Sequence, residues 1–335
     1  MGRGRIVELD ALRGLAALAV VLFHLTTRFD RLYGHASPPL IAVPWGHYGV
    51  QFFFGLSGFV IFMTLERTRH AADFVVSRVS RLYPAYWAAV LLTTAAVAIG
   101  PLPDLRHDAG TVLVNLTMVQ GFLGLPYVDG VYWTLAIELA FYACMLGLFV
   151  ARLLDRIEWV LIGWLGLKWL WWWLPDLSYA AGMLLVQDNI PFFAIGICAY
   201  RLHVGEAGIA RVLPVLACAL ATIGWIEGAE SLLVATLVAA TFLGCATGRL
   251  AWLRWRPLAW LGGISYPLYL LHESIGFVLL AAMKSAAVPT DAAILIALLA
   301  ALALGWAVSV AVERPALRLI RRAWRGAGAA RKVEA

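Results

Sequence analysis

Charged residues are scarce in this sequence. Asp, Glu, Lys and Arg make up 14% of its 335 residues, whereas 62% are hydrophobic and the mean hydropathy is +0.83. A soluble domain carries about a quarter charged residues, so this composition excludes a soluble globule. Many apolar stretches are long enough to cross about 30 Å of hydrocarbon. They are continuous rather than alternating, which excludes a transmembrane β-barrel.

Paired cysteines and metal-ligand spacings are also missing. Each of the four cysteines stands alone within an apolar run, with no C-x-x-C spacing and no clustered histidine; they are Cys144, Cys198, Cys218 and Cys245. Isolated thiols of this kind are typical of small core residues. The sequence therefore predicts neither a disulfide framework nor a metal site.

Ten apolar segments are candidates for transmembrane helices. They lie near 11–28, 47–66, 84–100, 131–151, 157–174, 190–202, 209–226, 231–248, 264–283 and 291–313. Of the 26 arginines and lysines, 20 then fall on the side of the two termini, four on the other side and two within spans. Because positively charged loops stay in the cytoplasm, the pattern predicts an all-α, polytopic transmembrane bundle of about ten helices with both termini cytoplasmic. The net charge of +6 thus needs no nucleic-acid partner.

A single membrane domain is predicted over residues 1–315, followed by a basic cytoplasmic tail at 316–335 that is typical of a segment lying on anionic lipids. The basic N-terminus and the apolar run after it resemble a signal peptide. No small-residue cleavage site follows, however, and Arg13 interrupts the start of the run, so we interpret this run as the first span. The outer connection 101–130 is predicted to hold a short interfacial or re-entrant helix at 111–122.

The first apolar helix carries two polar groups on one face. Arg13 and His24 are eleven residues apart, which is three turns plus about 20° and about 16 Å along an α-helix. An ionisable side chain within a membrane is costly, so it usually faces a bundle interior or a wet cavity. The pair therefore marks a candidate functional site with polar groups at two depths.

Six motifs, in this order along the chain, resemble the acyltransferase-3 family of integral membrane enzymes. They are LDALRGLAALAVVLFH ending at His24, GVQFFFGLSGFVIF at 49–62, SRVSRLYPAYW at 77–87, YWTLAIELAFY at 132–142, ISYPLYLLH at 264–272 and VERP at 312–315. The resemblance implies a membrane O-acyltransferase that acts on glycans or small natural products, with no permanently bound cofactor. It also implies a cytoplasmic acyl donor, usually acetyl-CoA, an essential histidine at His24, and family arginine positions at Arg13, Arg78 and Arg81. The chain departs from the family at Ser77, where an Arg is common, and at Gln51, where an Asp is common.

Acyl transfer to a hydroxyl needs a base for the alcohol proton and a group that orients that base. We assign these roles to His24 and Glu138. Guanidinium groups bind phosphates through a planar charged fork, and the candidate ligands of the acyl-CoA donor are Arg13, Arg78, Arg81 and His272. The candidate substrate contacts are Gln51, Ser57 and Tyr142.

Plainer interpretations exist for these residues. His24 can reach the outer interface beside Arg28, and the arginines can be ordinary cytoplasmic charge. Ser57 and the glycine after it can permit close helix packing, Glu138 can pair with a buried arginine, and His272 can hydrogen-bond a neighbouring helix.

The predicted function is O-acyl transfer, most simply acetyl transfer, from acyl-CoA to an extracytoplasmic glycan or glycolipid in a multi-pass protein of the bacterial inner membrane. A transporter or flippase of a glycolipid or small anionic solute is the alternative. Exopolysaccharide, lipopolysaccharide O-unit, lipid-linked intermediate and secondary metabolite all fit as acceptors. Direct transfer and an acyl-histidine relay both fit as mechanisms.

Overall fold

The structure, a computed structural model, describes residues 7–174, 178–205 and 208–333, and every regular element in these ranges is helical. The α-helices are α1 Val7–Leu22, α2 Phe29–Tyr33, α3 Gly49–Glu66, α4 Ala71–Ile99, α5 Ala109–Asn115, α6 Trp133–Val150, α7 Ile157–Trp173, α8 Tyr179–Leu184, α9 Ile190–Val204, α10 Ile209–Ile226, α11 Ala229–Ala246, α12 Arg256–Leu271, α13 Glu273–Ser285, α14 Thr290–Val308 and α15 Arg314–Val333. The all-α class is therefore confirmed. Arg3 and Arg5, which we count among the cytoplasmic charges, lie outside the described residues.

Each of the ten predicted apolar segments contains a helix. Six helical stretches in the described ranges are long and apolar enough to cross a membrane, namely Val7–Tyr33, Pro44–Glu66, Ala71–Ile99, Gly130–Val150, Ile209–Ile226 and Thr290–Gly326. The bent pair α12 and α13 would add a seventh, and Ile190–Val204 and Ala229–Cys245 are shorter apolar helices. A multi-pass helical protein is thus supported, whereas the count of ten and the cytoplasmic termini stay predictions.

The ninth predicted segment, 264–283, is not one straight helix. α12 and α13 meet at a bend of 70°. Pro267 lies within α12, where it lacks an N–H and weakens the helical ladder shortly before the bend. His272 falls between the two helices with its side chain fully buried.

The described helices form two compact units built from interleaved parts of the chain. Unit 1 comprises Met1–Ala16, Tyr48–Thr68 and Thr134–Gly262, and unit 2 comprises Ala17–His47, Arg69–Trp133 and Gly263–Ala335. The candidate residues His24, Arg78, Arg81 and His272 belong to unit 2. The others belong to unit 1.

In unit 1, α3 and α9 pack backbone against backbone. A methyl group added at Gly196 would overlap the carbonyl oxygen of Gly55, and one added at Gly58 would overlap the carbonyl oxygen of Phe193. Small residues permit such close approach of membrane helices. The packing interpretation of Gly58 is therefore supported.

In unit 2, two short π-helical stretches interrupt the longer helices. The first is Phe23–Arg28, where the N–H of Phe29 donates to the carbonyl of His24, and the second is Ser309–Glu313. A π-turn closes its hydrogen bond over five residues instead of four, and such turns occur frequently at functional sites. Here one contains His24 and the other ends at Glu313.

Candidate active site

His24 and His272 form a hydrogen-bonded pair in unit 2. Nδ1 of His24 lies 3.1 Å from Nε2 of His272, and the ring centroids are 4.9 Å apart at an interplanar angle of 71°. His24 comes from the first π-turn and His272 from the bend between α12 and α13. Two local irregularities of the helices therefore bring the two rings together.

The contacts of the two rings determine their tautomers. Nδ1 of His24 is 2.9 Å from the carbonyl oxygen of Val20, and Nδ1 of His272 is 2.8 Å from that of Tyr269. A carbonyl oxygen can only accept, so we assign the proton of each neutral ring to Nδ1. The single Nδ1–H of His24 is then shared between the carbonyl of Val20 and Nε2 of His272, and Nε2 of His24 keeps its lone pair.

A carboxyl group faces that lone pair. Oε1 of Glu273 lies 3.6 Å from Nε2 of His24, and the side chains of both residues are about a tenth exposed. The separation is too long for a direct hydrogen bond. A hydroxyl oxygen about 2.8 Å from each atom would therefore lie to one side of the line that joins them.

A second carboxyl group, Asp129, lies behind Glu273. Its oxygens accept from the backbone N–H of Val131 at 3.2 Å and of Ser274 at 3.0 Å, so it fixes the start of α13. Complete burial, and then the neighbouring Glu273 carboxyl, raise the pKa of Asp129 to about 7. The two carboxyl groups therefore do not both carry a full negative charge at neutral pH.

Glu273 and Asp129 were missed by sequence reasoning. Glu273 directly follows the fifth motif, which ends at His272, and a glutamate within an apolar stretch is a usable signal. Asp129 had no such signal, because an acidic residue just before an apolar span is ordinary.

Among the described residues, no group of three or more His, Cys, Asp or Glu side chains is placed to hold a metal ion.

The two arginines of α4 lie elsewhere in unit 2. Nη1 of Arg81 donates to Oε1 of Glu313, and its guanidinium lies 5.6 Å from the ring centroid of Tyr266. Arg78 donates to the Ser77 hydroxyl at 2.9 Å. Glu313 is almost fully buried, whereas the Arg81 side chain remains 31% exposed. One carboxylate therefore holds Arg81 in place. The guanidinium of Arg81 has further N–H groups besides the one that donates to Glu313.

The site residues predicted in unit 1 have contacts within that unit. The hydroxyl of Ser57 donates to Oε1 of Glu138 at 3.0 Å, and the hydroxyl of Tyr142 donates to the same oxygen. Arg13 pairs with Asp10 at 3.2 Å. Oε1 of Gln51 is buried and has no hydrogen-bond partner in the described part of the chain.

Within each unit, the structure thus brings some of the predicted residues together. His24 meets His272, and Glu138 meets Ser57 and Tyr142. The carboxyl group that contacts His24 here is Glu273, and the orienting role of Glu138 stays a prediction.

Comparison with known proteins agrees with the motifs. A family model described as an acyltransferase domain, Acyl_transf_3, matches residues 6–312. The chain is 27% identical over 300 residues to the exopolysaccharide production protein ExoZ of Rhizobium meliloti (strain 1021), which covers 82% of this chain and 90% of that protein. It is 31% identical over 112 residues to nodulation protein 10 of Rhizobium leguminosarum bv. viciae, or 28% of this chain and 30% of that protein. No solved structure matches.

Proposed function

The chain belongs to the acyltransferase-3 family, and from this premise we propose that it moves an acetyl group from cytoplasmic acetyl-CoA to a hydroxyl of an exopolysaccharide or its lipid-linked precursor. The acceptor lies on the outer side of the bacterial inner membrane in this proposal. The similarity to an exopolysaccharide production protein over most of both chains supports this class of acceptor. The transporter alternative has no comparable support.

The observation that carries the proposal is the close approach of Nε2 of His24 and Oε1 of Glu273, which are 3.6 Å apart. A hydroxyl that reaches this pair would donate its proton to the lone pair of Nε2. A base must be within about 2.6–3.2 Å of the proton-bearing atom to act in the transition state. The fixed tautomer of His24 supplies such a base.

In the proposed step, Nε2 of His24 takes the proton of the acceptor hydroxyl. At the same time, the oxygen of that hydroxyl forms a bond to the thioester carbonyl carbon. The bond from that carbon to sulfur then breaks, and the thiolate receives the proton from His24. The products are the O-acetyl ester and coenzyme A, so His24 ends as it began. Glu273 stabilises the imidazolium that exists between the two transfers.

Arg78 and Arg81 are the proposed ligands of the donor phosphates. Arg81 stacks near Tyr266, and His272 follows six residues later, which is about 9 Å along a helix. Arg81 therefore contacts α12, and His272 of the histidine pair directly follows the same helix. An extended pantetheine arm can connect sites so separated.

Glu138, Ser57, Tyr142 and Gln51 enter the proposal as acceptor ligands, with Glu138 also retained as a candidate partner of the base. Carboxylate, hydroxyl and amide groups are the usual hydrogen-bonding partners of sugar hydroxyls. Arg13 stays a candidate donor ligand.

The test is transfer of label from radioactive acetyl-CoA to the polysaccharide fraction by purified protein. His24→Ala should reduce transfer by roughly two to four orders of magnitude and leave coenzyme A binding intact. His70→Ala removes an exposed histidine and is the matched control, which should transfer normally. Near-normal transfer by His24→Ala would refute this mechanism. Label retained on His24 without acceptor would identify the relay form of the mechanism instead of direct transfer.

A further inference from the structure

The tail helix α15 is fastened to α4 at two points. Glu313, directly before α15, binds Arg81, and Nε1 of Trp324 donates to Asp73 at 2.8 Å. The first contact joins the start of α15 to a later residue of α4, and the second joins a later residue of α15 to the start of α4. The two helices therefore run antiparallel over about 12–16 Å.

This arrangement brings arginines of the tail up to those of α4. Arg321 lies within electrostatic range of Arg78, Arg81 and Arg325, and all three repel it. Arg321 and Arg325 are four residues apart, so they share a face of α15. Like charges gathered in this way are unfavourable unless an anion binds among them.

The acidic groups that fasten α15 are already engaged. Glu313 is buried against Arg81, and Asp73 accepts from Trp324. Arg321 itself is exposed. The four arginines Arg78, Arg81, Arg321 and Arg325 are thus near one another, and guanidinium forks match phosphate oxygens in geometry and charge.

We propose that α15 forms one wall of the donor site, with Arg321 binding the 3′-phosphate of coenzyme A while Arg78 and Arg81 bind its pyrophosphate. The inference rests on the proposed function. The order follows from the chain. Arg81 lies beside Tyr266, near the histidine pair that receives the thioester, whereas Arg321 lies eight residues, or about 12 Å, beyond Glu313 on α15. The 3′-phosphate is the donor phosphate farthest from the thioester.

The test compares coenzyme A with dephospho-coenzyme A, which lacks the 3′-phosphate, by calorimetry on the full-length protein in nanodiscs. Wild type should bind coenzyme A more tightly. Arg321→Ala should lose roughly ten- to hundredfold of that affinity and bind the two ligands almost equally. Arg81→Ala should weaken both to the same extent, so the ratio separates the two roles.

Two further variants serve as controls for charge and for helix position. Arg322→Ala removes one charge about 100° around the same helix, and it should keep the wild-type ratio. Trp324→Phe keeps every charge but removes the bond to Asp73, so it should lower the ratio in part by loosening α15.

An anionic lipid headgroup presents the same phosphate chemistry, and nanodisc composition distinguishes this source. An unchanged ratio in Arg321→Ala overturns the proposal. If that variant also loses the extra thermal stability of phosphatidylglycerol over phosphatidylcholine nanodiscs, Arg321 binds lipid instead. Failure of wild type to bind either coenzyme would refute the proposed function itself, which is a different outcome from an unchanged ratio.

Discussion

At the scale of single residues, Gly130 is where a small change reaches the site most directly. A Cβ there would lie 2.5 Å from Oε2 of Glu273, so Gly130→Ala should push this carboxyl away from His24. We expect kcat to fall roughly tenfold, part of the contribution of a general base and its partner, with coenzyme A affinity unchanged. Gly147→Ala is the matched control, because a Cβ there meets nothing within 4 Å. Equal kcat in the two variants would contradict the role of Glu273.

Asp129 should make stability depend on pH. Its pKa is raised to about 7, mainly by burial and next by Glu273, so the folded protein holds a proton that the unfolded chain releases near pH 4. Stability is then full below about pH 4 and falls as pH rises to about 7. The unfolding midpoint in detergent should be higher at pH 5.5 than at pH 8. Asp129→Asn cannot titrate, so the difference in unfolding midpoint between pH 5.5 and pH 8 should be smaller in this variant. The same difference in the variant and wild type would show that Asp129 does not cause it.

Sequence reasoning found His24 and missed its carboxyl partners for a physical reason. A histidine in an apolar helix is conspicuous because burying it is costly. Which carboxyl it meets depends on contacts between helices distant in the chain, and helical periodicity relates only residues of one helix. Glu138 and Glu273 both lie within apolar stretches, so this criterion does not distinguish them.

At the scale of elements, the α3 and α9 contact depends on glycine. Gly196→Ala places a methyl group onto the carbonyl of Gly55, so the helices must separate. We expect a loss of about 1–3 kcal/mol or more in unfolding free energy, measured by thermal or denaturant unfolding in detergent.

Gly166→Ala on α7 provides the comparison for that prediction. Its Cβ would meet nothing within 4 Å, and alanine favours a helix over glycine by up to about 1 kcal/mol. Its stability should be equal to wild type or higher. Similar losses in both variants would mean that glycine packing is not the cause.

The helices themselves were largely predictable, because a membrane requires long apolar segments with internally satisfied backbones. The break between α12 and α13 was not predicted. Pro267 was visible within the segment, but proline in a membrane helix is often tolerated without a break. The 70° bend depends on what α12 and α13 pack against.

At the scale of the whole molecule, the orientation in the membrane is open to a direct test. Cysteines introduced singly into a background without the native thiols should react with an impermeant reagent according to side. Asp104→Cys, in the predicted outer connection, should label in intact cells, and Arg69→Cys, between α3 and α4, only after lysis. Both positions are exposed. The reverse pattern would invert the predicted topology.

Charge distribution yields a prediction of orientation because the positive-inside bias acts on loops regardless of how helices pack. The division of the chain into interleaved units could not be predicted in the same way. Unit 2, for example, combines residues from near the start, the middle and the end of the chain. A local sequence pattern does not indicate which distant segments associate.

The π-turns at Phe23–Arg28 and Ser309–Glu313 determine how the helices respond to the insertion or deletion of a residue. Each turn holds one residue more than an α-turn, so a single-residue deletion there restores a regular helix instead of breaking one. The deletion would rotate the chain beyond it by about 100°. Removing one residue after His24 would therefore leave a well-formed helix with Phe29 and Tyr33 turned from their partner Phe277. Insertions and deletions at these two places can abolish activity while the protein still folds, so natural length variation should avoid them more strictly than the loops.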